Sequence, residues 1–308
     1  MRIRLAENFR AAFYAPFYAT LALGFYENHG VSVELVRSSA AGEGVAALLD
    51  GKADVTWGGP MRVMKAHDAD PASPLVCFGE VVGRDPFYLV AANRSDAASL
   101  DDLRRVRFAA VSEVPTPWLC LQHDLRERGL DPATIERAPA QSMAANFQAL
   151  CEDRLDVVQL FEPYVAMALE RRVGRILYAA STRGPTVYTT FIATRSAMQR
   201  HRHAFACMLD AVAQMQEWLG AHRARELAEI TATYFADFAD SEREILASSF
   251  ERYRKGNIWA RTPDVSREGF SRLGECLRSG GFLSRAPVYG DCIAQIFRTS
   301  ADRQRSGS

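Results

Sequence analysis

The residues best suited to hold a small molecule stand where predicted strands end and predicted helices begin. In the first part of the chain they are aromatic, glycine and small polar residues: Asn8, Phe9, Phe13, Tyr14, Ser38, Ser39, Trp57, Gly58 and Gly59. The later candidates are Ser112, Thr116, Trp118, Glu162, Tyr164 and Tyr188. Aromatic rings stack on flat ligands, while a few polar groups orient them. These residues therefore predict a binding site for a small organic molecule.

Patterns typical of catalysis or metal binding are weak in this sequence. The basic run Arg200-His201-Arg202-His203 is not completed into a metal set by Cys or Glu. Gly42-Glu43-Gly44 lacks the Lys-Ser/Thr of a phosphate loop, and no Ser stands in a Gly-x-Ser-x-Gly elbow. Scattered cysteines without a CxxC spacing are typical of small buried apolar residues: Cys77, Cys120, Cys151, Cys207, Cys276 and Cys292. We predict no catalytic residue, no metal and no cofactor.

Charge and hydropathy exclude some classes of partner. Lys and Arg together number 37, as do Asp and Glu, so no excess of positive charge attracts nucleic acid or anionic lipid. A membrane span needs about 18 uninterrupted apolar residues, and the sequence contains no such stretch. The 308 residues suffice for about two domains. We expect a monomer that binds a small molecule and no nucleic acid.

An internal repeat organises the elements that carry these residues. Asp54 and Asp156 stand 102 residues apart, each between an amphipathic helix and an apolar strand. Pro16 and Pro117 both occupy a predicted first helical position. Strands predicted at 3–6 and 108–111 precede these helices, and strands predicted at 31–36 and 134–138 follow them. The pattern in each half therefore predicts elements in the order strand, helix, strand, helix, strand.

This alternation predicts an α/β fold with parallel sheets, arranged as two Rossmann-like lobes. Extended segments at 79–93 and 184–192 predict two crossings between the lobes, and so a two-strand hinge. Lobe 1 would comprise 1–85 plus 192–298, lobe 2 would comprise 86–191, and 299–308 would form a flexible tail. Apolar periodicity predicts additional helices at 204–218, 224–235, 241–253 and 266–278, which we expect to pack on lobe 1.

Several candidate site residues have a structural explanation as well as a functional one. Glu162 would pair with a ligand amine or cap the helix that begins at Pro163. Trp57 would stack on a ligand or fill the core of its lobe. Arg10 and Arg37 would bind an anionic ligand or remain solvated.

The order of several short motifs resembles the substrate-binding proteins of ABC transporters. The resemblance is to the branch that holds sulfonate, nitrate, riboflavin and thiamine-pyrimidine binders and the related fungal pyrimidine synthase. It covers about residues 1–295 and rests on Asn8-Phe9 through Pro16-Phe17-Tyr18, Leu23-Gly24-Phe25-Tyr26-Glu27-Asn28-His29-Gly30-Val31, Leu49-Asp50-Gly51-Lys52-Ala53-Asp54-Val55, Leu100-Asp101-Asp102-Leu103, and Leu155-Asp156-Val157 with Glu162-Pro163-Tyr164.

The resemblance implies a type II periplasmic-binding-protein-like fold whose two lobes close over a small ligand and deliver it to an ABC permease. It places Asn8 and Glu162 near the ligand. It also implies a periplasmic or membrane-associated extracytoplasmic location. The N-terminus begins with strand-like Arg2-Ile3-Arg4-Leu5 instead of an apolar signal core, so the sequence leaves a cytoplasmic location open.

Among ligands, a thiamine-pyrimidine precursor or similar heteroaromatic amine is favoured over a sulfonate, because Glu162 would repel an anion. We expect no enzymatic activity. The fungal synthase carries a cysteine cluster on the return crossing, which is absent here, and Lys65 and His67 are out of register with its Lys and His. A desulfinase-like enzyme would need an early nucleophile, yet the first cysteine is Cys77. A cytoplasmic ligand-sensing module remains the third alternative.

Overall fold

The computed structural model describes residues 1–38, 42–235 and 243–296. Its strands are β1 (Arg2–Ala6), β2 (Ser32–Val36), β3 (Val55–Gly58), β4 (Leu75–Val82), β5 (Tyr88–Ala92), β6 (Phe108–Ala109), β7 (Val157–Leu160), β8 (Gly174–Ala179) and β9 (Thr189–Thr194). They form two sheets, a first in the order β2-β1-β3-β9-β4 and a second in the order β6-β7-β5-β8. The predicted tail at 299–308 lies outside the described residues, as does the start of the helix predicted at 241–253.

Both sheets are mixed, which corrects the prediction of parallel sheets within a confirmed α/β fold. β1 pairs in parallel with β2 and β3, and β6 pairs in parallel with β7. β9 runs antiparallel to β3 and β4, while β5 runs antiparallel to β7 and β8. The antiparallel strands flank the crossings, because the chain enters the second sheet through β5 and returns to the first through β9. The exact lobe boundaries stay a prediction.

The helices cover both sheets and form a long C-terminal layer. They are α1 (Ala15–Ala22), α2 (Phe25–Asn28), α3 (Glu43–Leu49), α4 (Met61–Ala69), α5 (Thr116–Glu127), α6 (Met143–Cys151), α7 (Tyr164–Glu170), α8 (Arg195–Arg200), α9 (Arg202–Ala221), α10 (Ala224–Thr231), α11 (Arg243–Lys255), α12 (Arg267–Ser279) and α13 (Tyr289–Cys292). Short 3-10 helices span Ala12–Tyr14, Leu100–Arg104, Pro132–Thr134, Ala180–Arg183 and Ala232–Phe235. No described helix combines the length and apolar character of a membrane span.

The internal repeat has a matching set of hydrogen bonds in each half. Asp54 accepts hydrogen bonds from the backbone N–H of Arg4 and from its guanidinium, at 2.9–3.1 Å. Asp156 accepts the same three from Arg107, at 2.8–2.9 Å. Each pair ties the start of a central strand to its parallel neighbour. The strand predicted at 134–138 is the exception, since it reduces to a single bridge between Phe108 and Arg137.

The C-terminal helices contact both halves of the molecule. α9 packs on α1 and α2, and α10 packs on α1. α11 also contacts α7, and α12 contacts α5, so both helices reach the part of the chain that carries the second sheet. This extends the expectation that these helices pack on lobe 1.

Candidate ligand-binding cleft

A cleft lies between the carboxyl-end loops of the two sheets, where open α/β sheets bind ligands. The space open to the centre of a water-sized molecule is about 30 Å³, and the surrounding free space, including solvent at the mouth, is about 380 Å³. Residues from both halves line it: Asn8, Phe9, Phe13, Tyr14, Gly59, Met61, Arg62, Val114, Pro115, Thr116 and Tyr188. Seven predicted site residues are thus brought together, namely Asn8, Phe9, Phe13, Tyr14, Gly59, Thr116 and Tyr188; their role in ligand binding stays a prediction.

Asn8 connects three parts of the first wall of the cleft. Its Oδ1 accepts a hydrogen bond from Gly42 N–H at 3.0 Å, and its Nδ2 donates to the Tyr14 hydroxyl at 3.1 Å. Burial raises the pKa of Tyr14 to about 12, although the Asn8 hydrogen bond and the positive charge of Arg62 oppose that rise. Tyr14 is therefore a neutral hydroxyl at physiological pH and can donate a hydrogen bond to a ligand.

Arg62 is the cation of the cleft. It is half-buried in the first turn of α4, and within the described part of the chain its guanidinium makes no hydrogen bond or ion pair. The guanidinium lies against Gly42, where a Cβ would come within 2.9 Å of its Nη1. Gly42 has a φ of +98°, so a side chain there would also strain the backbone. A half-buried cation without a partner favours an anionic ligand.

Two helix N-termini strengthen this preference for negative charge. α4 begins at Met61 and α5 at Thr116, and both residues line the cleft. The first N–H groups of a helix lack intrahelical partners, and the helix dipole favours an anion beside them. The first turns of α4 and α5 contain no acidic residue that would occupy this position.

Four rings form an aromatic floor below these polar groups: Phe13, Phe87, Phe161 and Tyr188. The Phe13 ring meets Phe161 edge-on at 5.4 Å and Tyr188 at 5.9 Å between centroids. Phe87 and Tyr188 belong to the two crossings, so the aromatic floor includes both connections between the sheets. Phe13 and Tyr188 also line the cleft and offer an apolar surface to a ligand.

Trp57 belongs to the core, which corrects its predicted place on the rim. Its side chain is fully buried, and its ring stacks on Phe17 at 4.6 Å between centroids. Tyr18 packs edge-on against the same ring. A tryptophan at the end of a central strand fills the space between that strand and α1, so the ring faces inward.

Glu162 is satisfied within the protein, so the structural explanation applies to it. Its carboxylate is fully buried and pairs with Arg252 Nε at 2.5 Å. It also accepts from Ser249 Oγ and from Ala166 N–H, the latter in the first turns of α7. Burial raises the pKa of Glu162, and the charge of Arg252 opposes this rise. The carboxylate is therefore engaged and does not line the cleft.

The remaining predicted residues lie around the cleft without lining it. The Ser38 hydroxyl donates to Glu43, and the Ser112 hydroxyl donates to the carbonyl of Gln141. Three others pack within the protein: Gly58 beside Asn8, Trp118 beneath the Arg137 guanidinium, and Tyr164 against Phe147. Ser39 lies outside the described residues. Arg10 pairs with Glu7, and Arg37 is exposed.

Arg62 lines the cleft but was not among the predicted site residues, although the sequence contained a signal for it. It follows Gly59-Pro60-Met61 at the start of a helix, where the dipole favours an acidic residue. A basic residue at that position, after a strand end, indicates that an external anion can complete the site. Val114 and Pro115 have no sequence feature that predicts a binding site, and only their place in the same cleft as Arg62 identifies them as lining residues.

The groups considered for enzymatic chemistry lie away from the cleft. Cys77 is buried in β4, and burial raises the pKa of its thiol to about 12. Lys65 pairs with Asp68, and the His67 ring is hydrogen-bonded to the carbonyl of Leu75. Within the described ranges, no group of three or more His, Cys, Asp or Glu side chains is placed to hold a metal ion.

Comparisons with known proteins agree with this architecture. "Putative binding protein YtlA" of Bacillus subtilis is 22% identical over 294 residues, which cover 95% of this chain and 87% of that protein. The periplasmic aliphatic sulphonate binding protein SsuA from Escherichia coli matches with a TM-score of 0.76 at 16% identity, over 95% of this chain and 97% of that one. The alkanesulfonate-binding protein SsuA from Xanthomonas axonopodis, bound to MOPS, matches with a TM-score of 0.72 at 15% identity, over 95% and 98%.

These structural matches confirm the periplasmic-binding-protein fold. A family model described as "NMT1/THI5 like" matches residues 12–225, which is more than half of the chain. The residues that it spans include most of the cleft, from Phe13 to Tyr188. The chain belongs to the NMT1/THI5-like family.

Proposed function

We propose that this protein is the ligand-binding component of an ABC-type importer and that its cleft holds a small organic anion. The observation that carries the proposal is Arg62, a half-buried cation in the cleft that has no partner among the described residues. An anionic group placed there would also meet the N-termini of α4 and α5. The sulfonate-binding proteins with the same fold support this choice of charge.

The rest of the ligand would be apolar or a ring. Phe9, Phe13 and Tyr188 line the cleft beside the polar groups, and aromatic rings provide apolar contact at low entropic cost. A sulfonate or carboxylate with a short apolar or cyclic body suits this arrangement. Binding from both walls would couple ligand affinity to closure of the two halves over it. Delivery to a permease, and with it a location outside the cytoplasm, are part of the same proposal.

A thiamine-pyrimidine precursor is the second candidate, and the aromatic lining is the observation that favours it. The preference for an amine rested on Glu162, whose carboxylate is paired with Arg252. The lining offers rings for stacking but no free carboxylate for an amine. We therefore place the anion first. Binding without turnover remains our expectation, since Cys77, Lys65 and His67 lie away from the cleft.

Calorimetry with four probes tests the proposal: MOPS, ethanesulfonate, nitrate and an aminopyrimidine. We expect a sulfonate to bind most tightly. Arg62→Gln removes the charge-assisted hydrogen bonds, which are worth about 1.5–3 kcal/mol, and should weaken sulfonate binding about 10- to 100-fold. Circular dichroism of the variant should remain that of the wild type, because the Arg62 guanidinium makes no hydrogen bond or ion pair with any described residue.

Lys65→Gln is the matched control, since Lys65 lies one turn further along α4 and pairs with Asp68 outside the cleft. It should leave the affinity unchanged. An equal loss in both variants would indicate a general effect of net charge. Sulfonate binding that is insensitive to Arg62→Gln would contradict the anion site, and tight binding of the aminopyrimidine alone would select the second candidate.

A further inference from the structure

Two side chains from the C-terminal part of the chain form hydrogen bonds with backbone groups on both sides of the aromatic floor. We propose that the segment 249–259 positions Phe13 and Phe161, and that ligand affinity depends on the ion pair between the buried Glu162 carboxylate and the half-buried Arg252 guanidinium, although neither side chain lines the cleft. The affinity half of this inference rests on the proposed function. The positioning half concerns the protein without ligand.

The first contact holds the Phe13 side of the floor. Trp259 Nε1 donates a hydrogen bond to the backbone carbonyl of Phe13 at 2.9 Å, across 246 residues of sequence. Phe13 stands in the 3-10 helix Ala12–Tyr14, which has a single turn. A turn of three residues has little stability of its own. The distant indole therefore supplies an anchor that the local backbone lacks.

The second set of contacts holds the Phe161 side. The backbone N–H of Glu162, the residue after Phe161, donates to the Tyr253 hydroxyl at 3.0 Å. Arg252 and Ser249 bind the Glu162 carboxylate from the same face of α11. Glu162 lies in the short connection between β7 and α7. One helix and the residues after it thus fix both loops whose rings meet at 5.4 Å.

The ion pair is the sensitive part of this arrangement. The Glu162 carboxylate has no exposed surface, so a buried charge would remain without its partner if Arg252 were lost or misplaced. The loop that carries Phe161 and Glu162 would then shift so that water reaches the carboxylate, which would be hydrated or take up a proton. Since Phe161 contacts Phe13, that shift would reach a residue that lines the cleft.

Two variants test the inference, with MOPS as the ligand probe. Arg252→Lys keeps the charge but loses the Nε contact, and Tyr253→Phe removes only the acceptor of the Glu162 N–H. Lys255→Gln is the control, since this lysine is exposed at the end of the same helix and, within the described ranges, pairs with Glu251 alone. Hydrogen exchange of ligand-free protein is followed in peptides that cover 11–14 and 160–164.

We expect both variants to exchange faster than the wild type in both peptides, and Arg252→Lys to weaken MOPS binding about 10-fold through faster dissociation. Lys255→Gln should match the wild type in every measurement. If Arg252→Lys does not fold, Tyr253→Phe decides the outcome. Changes confined to 160–164, or to α11 itself, would overturn the positioning role. If the wild type binds MOPS and Arg252→Lys releases it at the same rate, the dependence of affinity on the ion pair is overturned. Exchange is measured without ligand, so it tests the positioning role even where MOPS binding fails.

Discussion

The two halves of this protein share a scaffold but contribute differently to the cleft. At the amino ends of the central strands, Arg4 with Asp54 and Arg107 with Asp156 make nearly identical sets of hydrogen bonds. At the carboxyl ends the halves diverge. The first half places polar side chains such as Asn8, Tyr14 and Arg62 in the cleft, whereas the second places Val114, Pro115 and Thr116 there.

This difference indicates a division of roles between the walls. The first wall contains a cation and hydrogen-bonding side chains, so under the proposed function it would determine which ligand charge is accepted. The second wall offers a helix N-terminus and one hydroxyl, which suit closure over a ligand already held. A repeated unit can thus keep its scaffold bonds at one end of the strands while the residues at the other end differ.

The largest expected effect is a difference in stability between variants of two tryptophans, one in each half of the molecule: Trp57 at the end of β3 and Trp118 in the first turn of α5. Trp57→Ala should cost about 3–5 kcal/mol of unfolding free energy, because the ring is fully buried. Trp118→Ala should cost clearly less, because this ring is half-buried and covered by the exposed side chain of Arg137. Urea unfolding of both variants measures the difference. Equal losses of unfolding free energy in the two variants would contradict this difference in burial between the two halves.

The repeated Arg–Asp pairs predict a smaller effect that depends on pH. The Arg107 hydrogen bonds lower the pKa of Asp156, and Arg4 lowers that of Asp54 against the effect of burial. A depressed carboxyl pKa stabilises the fold at pH values above the ordinary pKa of about 4, and this stability is lost as the pH falls below it. At pH 7, Asp156→Asn and Asp54→Asn should each cost about 1.5–3 kcal/mol.

The two Asp variants should begin to approach the wild type in stability once the pH falls below about 4, and the approach becomes complete only below the depressed native pKa of each carboxyl. Denaturant unfolding at pH 7, 5 and 3 measures this convergence. Asp156 binds both Arg94 and Arg107, so its variant should lose more than that of Asp54. Asp101→Asn, an exposed acid without an ion pair among the described contacts, serves as the control. A loss of stability that is the same at every pH would mean that the packing of the two Asp side chains, and not their charge, stabilises the repeated units.

The smallest effect concerns the second wall. Thr116→Val preserves the volume of a residue that lines the cleft but removes its hydroxyl. The hydroxyl can give a sulfonate one hydrogen bond but, unlike the Arg62 guanidinium, no opposite charge. A hydrogen bond to a charged group contributes about 1.5–3 kcal/mol, so at the lower end of that range the affinity for a sulfonate should fall about 10-fold, less than in Arg62→Gln. Thr134→Val, whose hydroxyl bonds to Asp131 on the surface, should have no effect on affinity. A loss at Thr116 as large as that at Arg62 would contradict the division of roles.

Much of the fold could be predicted because its signals are local. Helix caps and turn glycines act within a few residues, as at Ser142, whose hydroxyl accepts from Ala145 N–H, and at Gly129, which has a φ of +75° after α5. Apolar periodicity is equally local, and the four predicted C-terminal helices correspond to α9, α10, α11 and α12. The spacing of Asp54 and Asp156 indicated a repeat whose bonds the structure contains.

Tertiary structure decided which candidate side chains meet and which are occupied. Glu162 and Trp57 stand at strand ends, as ligand residues do, yet Arg252, 90 residues later, binds the carboxylate, and Phe17 covers the indole. Arg62 became the cation of the cleft because no described side chain pairs with it. Sequence patterns report the preferences of neighbouring residues. The pairing of a buried charge, or its lack of a partner, depends on residues that only the folded chain brings together.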